Sequence, residues 1–342
     1  MEPALSAAII YVDAPRSANT TRGKARETPL AFATLAGRSS LSWVIDATLA
    51  ASVRRIAVIG AQPSPAVRAE IARRNDRGQI DIVDATADPL ADLSRAVERL
   101  ASAFSVEQER PLLMLPAEAP LVETNDIRQL LRQHRSERAT ATRVVFSKDA
   151  QSAAAADRSA SRATDTHEGV GPVRSDVGTY VNAGIVCMDS SSLGPALRLV
   201  ERRGDKCLRP VEAALALEAA GHRVASVDES ERLRPMRTPR DRAESERELR
   251  RRIRFHWVER GVVMPSIDDV WIDADVEIGH GVTLRPGTML EGRTMIGDGA
   301  TIGPHTHVVS SSIGADSIVP QSSLRHVDLP PKSQIEPFSS LG

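Results

Sequence analysis

A strict six-residue repeat near the end of the printed sequence constrains the fold more than any other feature. An apolar residue recurs at every sixth position. The residue two positions before it is small or β-branched, as in Val276, Thr288 and Ala300. A six-residue period fits neither an α-helix nor an ordinary strand. It is typical of a solenoid in which each hexapeptide forms one short strand and one corner of a triangular coil. The apolar residues of the repeat are Ile272, Ile278, Leu284, Leu290, Ile296, Ile302 and Val308.

The repeat continues after one missing residue through Ile313, and we expect it to end near Val319. At ~18 residues per triangular turn, it forms about three turns. Such a short stack leaves apolar surface at its ends and buries few residues, because each coil contacts only its neighbours. The sequence therefore favours association of several copies through the coils.

The preceding part of the chain alternates short β-rich runs with helical patterns. In residues 89–104, for example, Leu93, Val97 and Leu100 recur at helical spacing and share one face. Strands separated by helices predict a mainly parallel sheet with helices on both faces. Ligands of such sheets bind beyond the carboxyl ends of the strands. The predicted strands cover residues 8–12, 55–60, 79–83, 111–115, 142–146, 180–188 and 223–227.

Two segments interrupt this alternation, and the second of them marks the domain boundaries. Residues 149–178 are rich in Ala, Ser, Asp and Gly without an apolar period, so we expect a long mobile loop there. Residues 239–261 predict one helix, because Pro239 suits the first turn of a helix and Gly261 suits its C-terminal end. The sequence thus predicts an α/β domain over residues 1–238, a connector helix over 239–261, and a short β-helix with a tail over 262–342.

Charge and composition argue against several classes of protein. The chain has 44 basic and 45 acidic residues, a balance that disfavours a general nucleic-acid or membrane binder. No apolar run approaches the ~20 residues that span a bilayer. The run Arg250-Arg251-Arg252 could contact RNA, but a solvated helix face is the preferred interpretation. Two cysteines, Cys187 and Cys207, cannot form a disulfide framework, and we expect a cytoplasmic protein.

The loop after the first predicted strand has the position of a phosphate-binding loop but not its usual composition. Such loops are rich in glycine, because only a bare backbone brings its N–H groups close to phosphate oxygens. Here a single glycine, Gly23, lies among basic residues that include Arg22 and Lys24. These two side chains could replace the missing N–H groups with charge, or they could belong to a polar surface loop.

Several motifs, spread over most of the chain, carry a resemblance to a known family. They are AAII, LAGRSSLSWVIDA, PAEAPLV, VNAGIV, EAAGHRVASV, ERELRRRI and WIDADVEIGHGVTLRPGTMLEGRTMIGDGATIGP. The chain resembles the bacterial bifunctional N-acetylglucosamine-1-phosphate uridylyltransferase / glucosamine-1-phosphate acetyltransferase family. The resemblance implies a Rossmann-like nucleotidyltransferase domain followed by a left-handed parallel β-helix that forms a homotrimer. It also implies uridylyl transfer from UTP to N-acetylglucosamine-1-phosphate with Mg²⁺.

The resemblance places a nucleotide at the end of the first predicted strand. Arg22 and Lys24 are then candidate catalytic residues, because cations there would neutralise charge that grows on the phosphates. The family's Q-L-G-T stretch, which contacts the uracil, has no counterpart near residues 87–93. The residues that take the place of the family's nucleotide-binding L-A-A-G are Tyr11, Val12, Asp13 and Ala14.

The resemblance places the sugar and the metal on other segments. Asn182 in V-N-A-G-I matches the family's sugar-binding asparagine, and Glu168 is a candidate for its sugar-binding glutamate. Glu118 stands where the family has a magnesium-binding aspartate. A glutamate can also bind Mg²⁺, although a solvated loop acid is an equal alternative. The family's second metal-binding residue, an asparagine, aligns near Arg237 and is absent.

The acetyltransferase activity of the family is not expected here. Its site lies in later coils that carry a histidine base, whereas the repeat in this sequence is expected to end near Val319. Three histidines are nevertheless present in the coils: His280, His305 and His307. The last two could bind a metal across a trimer axis, but exposed corner histidines are the preferred interpretation.

Two functions remain open from the sequence. One is a sugar-1-phosphate nucleotidyltransferase-like protein with an impaired or altered catalytic loop, by resemblance a UDP-N-acetylglucosamine pyrophosphorylase. The other is a catalytically inactive trimeric relative that binds a nucleotide sugar or a protein partner. Loss of one preorganised group typically lowers a rate by about 10²–10³, so the altered loop favours weak turnover.

Overall fold

The computed structural model describes most of the chain, and the described residues form two compact units. One unit comprises Met1–Ala33 and Ser40–Arg237, and the other comprises Thr34–Ser39 and Thr238–Gly342. Within the described residues, no helix combines the length and the apolarity that a membrane crossing requires. The described residues are 7–12, 29–60, 63–75, 78–84, 86, 88–100, 111–147, 173–175, 178–202, 210–228 and 231–342.

The first unit contains an eight-stranded, mostly parallel sheet. Its strands are β1 (Ala7–Tyr11), β4 (Arg55–Gly60), β5 (Ile80–Asp84), β6 (Pro111–Pro116), β7 (Ala141–Ser147), β8 (Val173–Ser175), β9 (Gly178–Asp189) and β10 (Val224–Asp228). The strand order is β10-β7-β9-β6-β1-β4-β5, and β8 pairs with β9. Strand β9 runs antiparallel to β6, β7 and β8, whereas the other neighbours pair in parallel. The predicted fold class is confirmed.

Helices cover both faces of this sheet, as the buried residues of β1 show. Ala8 and Ile10 belong to a core with the helices at residues 40–50, 65–74 and 124–136, whereas Ala7 and Ile9 belong to a core with the helices at residues 89–100, 190–202 and 210–219. A strand that is buried on both faces is expected in a parallel sheet. The helices are α1 (Ser40–Ala50), α2 (Pro65–Arg74), α3 (Pro89–Leu100), α4 (Thr124–Ser136), α5 (Ser190–Arg202) and α6 (Pro210–Ala219).

One loop prediction in the first unit is partly wrong. The sequence predicts a mobile loop over residues 149–178, but Val173–Ser175 form β8, which pairs with the start of β9. Residues 149–172 and 176–177 of this prediction lie outside the described residues. A three-residue strand carries no apolar period that a sequence pattern can reveal. Its three residues pair with Gly178, Thr179 and Tyr180 at the start of the long strand β9.

The second unit begins with a short hairpin and a long helix. The hairpin consists of β2 (Thr34–Leu35) and β3 (Arg38–Ser39), which pair antiparallel. The helix is α7 (Pro239–Glu259), with proline in its first turn. A capping box starts this helix: the Thr238 hydroxyl accepts the Asp241 N–H (3.1 Å), and the Asp241 carboxylate accepts the Thr238 N–H (2.8 Å).

The rest of the second unit is a β-helix built from three stacks of short parallel strands. The repeat residues point inward, and Ile272, Leu290, Val308 and Leu324 stack in one register column. All four are 0% exposed. The stacks are β11-β14-β17-β20-β22, β12-β15-β18-β21 and β13-β16-β19. Their strands are β11 (Trp271–Ile272), β12 (Glu277–Ile278), β13 (Thr283–Leu284), β14 (Met289–Glu291), β15 (Met295–Ile296), β16 (Thr301–Ile302), β17 (His307–Val309), β18 (Ser312–Ile313), β19 (Ile318–Val319), β20 (Ser323–Arg325), β21 (Asp328–Leu329) and β22 (Ser340–Leu341).

The coil continues beyond the predicted end of the repeat near Val319. Leu324 and Leu329 take the next inward positions at a spacing of five residues rather than six, and β22 pairs with β20. A test for a strict six-residue period therefore misses these strands. Leu324 is buried and Leu329 is partly buried, whereas both residues of β22 are exposed. The β-helix itself is confirmed.

Candidate functional site

The carboxyl ends of β1, β4 and β6 meet at one edge of the sheet in the first unit. The Ala117 N–H, just after β6, donates to the Tyr11 carbonyl (2.8 Å), and the Val12 N–H donates to the Ile59 carbonyl (2.9 Å). These bonds hold the end of β1 between its two parallel neighbours. The sheet therefore brings Tyr11 and Val12, two of the predicted nucleotide-binding residues, to the edge where ligands of parallel sheets bind.

Gly60 keeps the backbone compact at this edge. Its φ is +116°, a conformation that side-chain-bearing residues rarely adopt. A Cβ atom on Gly60 would lie 2.5 Å from the Val12 carbonyl oxygen. The end of β4 therefore requires glycine at this position, so that the backbone can pass closely beside Val12.

Tyr11 extends across the sheet from the end of β1. Its hydroxyl donates to the Gly184 carbonyl in β9 (2.8 Å), and the side chain is partly buried. In the strand order, β6 lies between β1 and β9. The Tyr11 side chain therefore links the predicted nucleotide-binding strand to the strand that carries V-N-A-G-I.

Glu118, the candidate metal ligand, lies two residues beyond the end of β6 and is 5% exposed. The backbone around it is fixed: the Glu118 carbonyl accepts the Met236 N–H (2.8 Å), and the Ala117 carbonyl accepts the Ser40 hydroxyl (2.7 Å). The alternative of a solvated loop acid is wrong, since the side chain is buried.

The burial of the Glu118 carboxylate affects how it could bind the expected Mg²⁺. A Mg²⁺ ion usually keeps several waters and takes one or two carboxylates together with substrate phosphates. A carboxylate that is 5% exposed cannot meet a hydrated ion without local rearrangement. Across the described part of the chain, no group of three or more His, Cys, Asp or Glu side chains is placed to hold a metal ion. The role of Glu118 as a magnesium ligand therefore stays a prediction.

The remaining predicted site residues are Asn182, which the structure describes, and five residues that it does not describe. Asn182 lies in β9, two residues before Gly184, and its backbone pairs with Val145 of β7. The predicted roles of Asn182 and of the other site residues stay predictions. The residues that lie outside the described part of the chain are Asp13, Ala14, Arg22, Lys24 and Glu168.

A buried histidine marks the opposite edge of the same sheet. His134 of α4 is 3% exposed, and its ring nitrogens lie 2.9 Å from Thr142 Oγ1 and 3.3 Å from Asp189 Oδ1. Burial lowers the pKa of His134, and the nearby Asp189 opposes this shift. Thr142 lies near the start of β7 and Asp189 at the end of the antiparallel β9. This cluster is therefore remote from the candidate site and stabilises the sheet.

The motif L-A-G-R is part of the second unit. The Ala36 N–H donates to Glu246 Oε2 (2.9 Å), and the Ala36 carbonyl accepts the Ala274 N–H (2.9 Å). The Arg38 guanidinium donates to Asp275 Oδ1 (2.6 Å). These contacts fix the hairpin to α7 and to the first coil, so this motif serves a structural role in the second unit.

The histidines of the coils lie on the outside, which agrees with their interpretation as exposed corner residues. His280 and His305 are exposed, and His307 is partly exposed with its Nε2 3.1 Å from Glu291 Oε2. The His307–Glu291 pair joins β17 to β14 on the outer face of one stack.

Comparisons with known proteins agree with this fold. Residues 23–182 match the family model described as the MobA-like NTP transferase domain. The "Bifunctional protein GlmU" of Halalkalibacterium halodurans is 31% identical over 172 residues, which are 48% of this chain and 36% of that protein. The protein of the same name from Mycolicibacterium vanbaalenii is 26% identical over 331 residues, 92% of this chain and 65% of that protein.

A third relative extends the similarity to nearly the whole chain. The "Bifunctional protein GlmU" of Bifidobacterium longum subsp. infantis is 25% identical over 367 aligned residues, 99% of this chain and 73% of that protein. The chain thus matches only about a third of the Halalkalibacterium protein but most of the Bifidobacterium protein. The similarity covers the α/β unit and the β-helix, so the chain is similar to the bifunctional GlmU proteins over most of its length and has a nucleotidyltransferase-like fold.

Proposed function

We propose that this chain is a sugar-1-phosphate nucleotidyltransferase-like protein that binds a nucleotide sugar and catalyses uridylyl transfer only weakly. The ligand proposed by resemblance is UDP-N-acetylglucosamine. The observation that carries the proposal is the contrast at the sheet edge. The strand ends that would hold the ligand are in place, whereas Glu118 is 5% exposed.

The chemistry of uridylyl transfer explains why this contrast matters. A phosphate oxygen of the sugar phosphate attacks the α-phosphorus of UTP in line, and pyrophosphate leaves. The protein contributes mainly positioning and neutralisation of the charge that grows on the phosphates. The protein can therefore keep the strands that bind the ligand and still lack the groups that accelerate transfer.

The proposed phosphate contacts are weaker than those of a glycine-rich loop. Arg22 and Lys24 would supply positive charge in place of backbone N–H groups. Long side chains lose about 1.5–2 kcal/mol of rotamer freedom when they are fixed, and fixed amides lose none. Transition-state stabilisation by these side chains is correspondingly smaller.

The sugar half of the site is proposed to be better preserved. Asn182 lies in V-N-A-G-I, which matches the family's V-N-T-G-I at four of five residues, and β9 presents that motif next to the end of β6. Glu168 would be the second sugar contact. This half supports binding of a nucleotide sugar as the retained property.

Calorimetry with the full chain tests this proposal. UDP-N-acetylglucosamine is expected to bind at one site per chain, and UDP alone is expected to bind more weakly because it lacks the sugar contacts. Absence of heat at millimolar UDP-N-acetylglucosamine would refute the proposed ligand.

A homotrimer is proposed as the assembly, through the β-helix. Its support is apolar surface on the outside of the coils, where Met295 is 51% and Ile318 is 46% exposed. Contact between copies would remove such surface from water. Sedimentation equilibrium at micromolar concentration should give three times the chain mass, and a monomer would overturn this assignment.

A further inference from the structure

Strand β9 changes its pairing beside the motif V-N-A-G-I. Its ladder with β7 passes from the pair Arg143–Val186 directly to the pair Val145–Asn182. Residues 183–185 of β9 therefore face the single residue Val144 of β7. Such a bulge bends a strand and redirects the residues next to it, and bulges are frequent beside active sites.

Gly184 lies in the middle of this bulge. Its φ of +78° is a left-handed conformation that favours glycine. The pairing of β9 with β6 ends at Met114–Val186, before Gly184 is reached. The Gly184 carbonyl instead accepts the hydroxyl of Tyr11 (2.8 Å). A side chain two strands away thus bonds to the backbone of the bulge.

The contact between Tyr11 and the bulge is close. A Cβ atom on Gly184 would lie 2.6 Å from the Tyr11 hydroxyl oxygen and 3.6 Å from Pro116 Cγ. The hydroxyl therefore sits directly against the Gly184 backbone, beside the last residue of β6. A residue without a hydroxyl at position 11 could not make this bond.

We propose that Tyr11 is a positioning residue for the sugar half of the site. Its hydroxyl fixes the bulge of β9, and the bulge fixes the backbone of Asn182. The bond from Tyr11 thus preorganises the sugar half of the site, which lowers the cost of ordering that half on binding. The identity of the ligand rests on the proposed function, but the bond between Tyr11 and Gly184 does not.

The substitution Tyr11→Phe removes the hydroxyl and keeps the ring. We expect calorimetry to show UDP-N-acetylglucosamine bound about two- to tenfold more weakly, the usual effect of one neutral hydrogen bond. The affinity for UDP should fall less, because the substitution leaves the backbone of the strand end in place. Hydrogen exchange of the backbone amides at residues 183–187 should become faster, because the bulge loses its fixed carbonyl.

The matched control is Thr48→Val. The Thr48 hydroxyl donates to the Val44 carbonyl within α1 (2.7 Å), so this variant also removes one buried hydroxyl–carbonyl bond from the first unit. It should leave both the UDP-N-acetylglucosamine affinity and the exchange at residues 183–187 at wild-type values.

Two results would overturn the positioning role: an equal loss of affinity for UDP and for UDP-N-acetylglucosamine, or unchanged exchange at residues 183–187 in Tyr11→Phe. A wild-type chain that binds neither ligand would refute the proposed function instead. The exchange comparison would then decide by itself whether Tyr11 fixes the bulge.

Discussion

The β-helix and the α/β sheet of this protein use their strands in different ways. In the β-helix, strands of two or three residues repeat one inward position, and the neighbours of Leu290 in its column are 18 residues away in the sequence on either side. In the α/β sheet, the end of β1 is held by single contacts between distant residues, and Tyr11 and Gly184 are 173 residues apart. A repeated local pattern thus specifies the solenoid, whereas the candidate site depends on individual long-range pairs.

The largest effect is expected when the repeated inward position is emptied. Leu290 is 0% exposed and stacks between Ile272 and Val308. Leu290→Ala should lower the free energy of unfolding of the β-helix unit by about 2–5 kcal/mol, because it leaves a cavity in a column that cannot collapse. Chemical denaturation measures this change.

The control for Leu290→Ala uses the same stack of coils. Arg325→Ala alters an outward, exposed position of β20 in the same stack, and it should change the stability by no more than about 0.5 kcal/mol. Similar costs for the two variants would mean that the inward column does not carry the stability of the β-helix.

The next largest effect is expected when the close backbone contact between Gly60 and Val12 is disturbed. Gly60→Ala would bring a Cβ atom to 2.5 Å from the Val12 carbonyl oxygen. Gly221→Ala is the matched control, because Gly221 also has a positive φ, +86°, but no atom would lie within 4 Å of its Cβ. Alanine should cost about 1–2 kcal/mol at Gly221 through backbone strain alone and about 3 kcal/mol or more at Gly60.

Thermal and chemical unfolding of the two glycine variants give the comparison. Equal destabilisation would show that the close approach of Gly60 to Val12 does not constrain the sheet edge. The positive φ would then account for the whole effect.

The smallest expected effect concerns the pH dependence of stability. Burial lowers the pKa of His134 in the folded chain, whereas the unfolded chain binds this proton near pH 6.5. Stability should therefore fall as the pH drops below about 6.5 and level off below the lowered folded pKa. One such proton changes stability by at most about 1.4 kcal/mol per pH unit.

His134→Gln should remove this part of the pH dependence, whereas His222→Gln, at an exposed position, should keep it. Urea unfolding of the three proteins between pH 7 and pH 5 measures the difference. Identical pH profiles for wild type and His134→Gln would contradict a role for the buried imidazole.

Much of the fold could be predicted from the sequence, because its patterns are local. The seven strands predicted in the α/β part all occur, with ends shifted by a few residues, and the inward residues from Ile272 to Val319 are buried. Strand β8 was missed because three residues carry no period. The last coil was missed because Leu324 and Leu329 follow a five-residue spacing.

The candidate site could be predicted only in outline. The ends of β1 and β6 place Tyr11 and Glu118 at the ligand edge, as a parallel sheet requires. The burial of Glu118 and the bond from Tyr11 to Gly184 depend on how distant segments pack, and no local pattern encodes them. The glycine of V-N-A-G-I was the one available signal, since a glycine within a strand often marks a bulge.

Pyrophosphate release tests the central claim most directly: the sheet edge retains its strands while transfer is weakened. The full chain would be assayed with UTP, N-acetylglucosamine-1-phosphate and Mg²⁺ beside a bifunctional family member that has the glycine-rich L-A-A-G loop. The account predicts a rate at least about 100-fold lower than that of the family member. A rate within a few fold of the family member would contradict it.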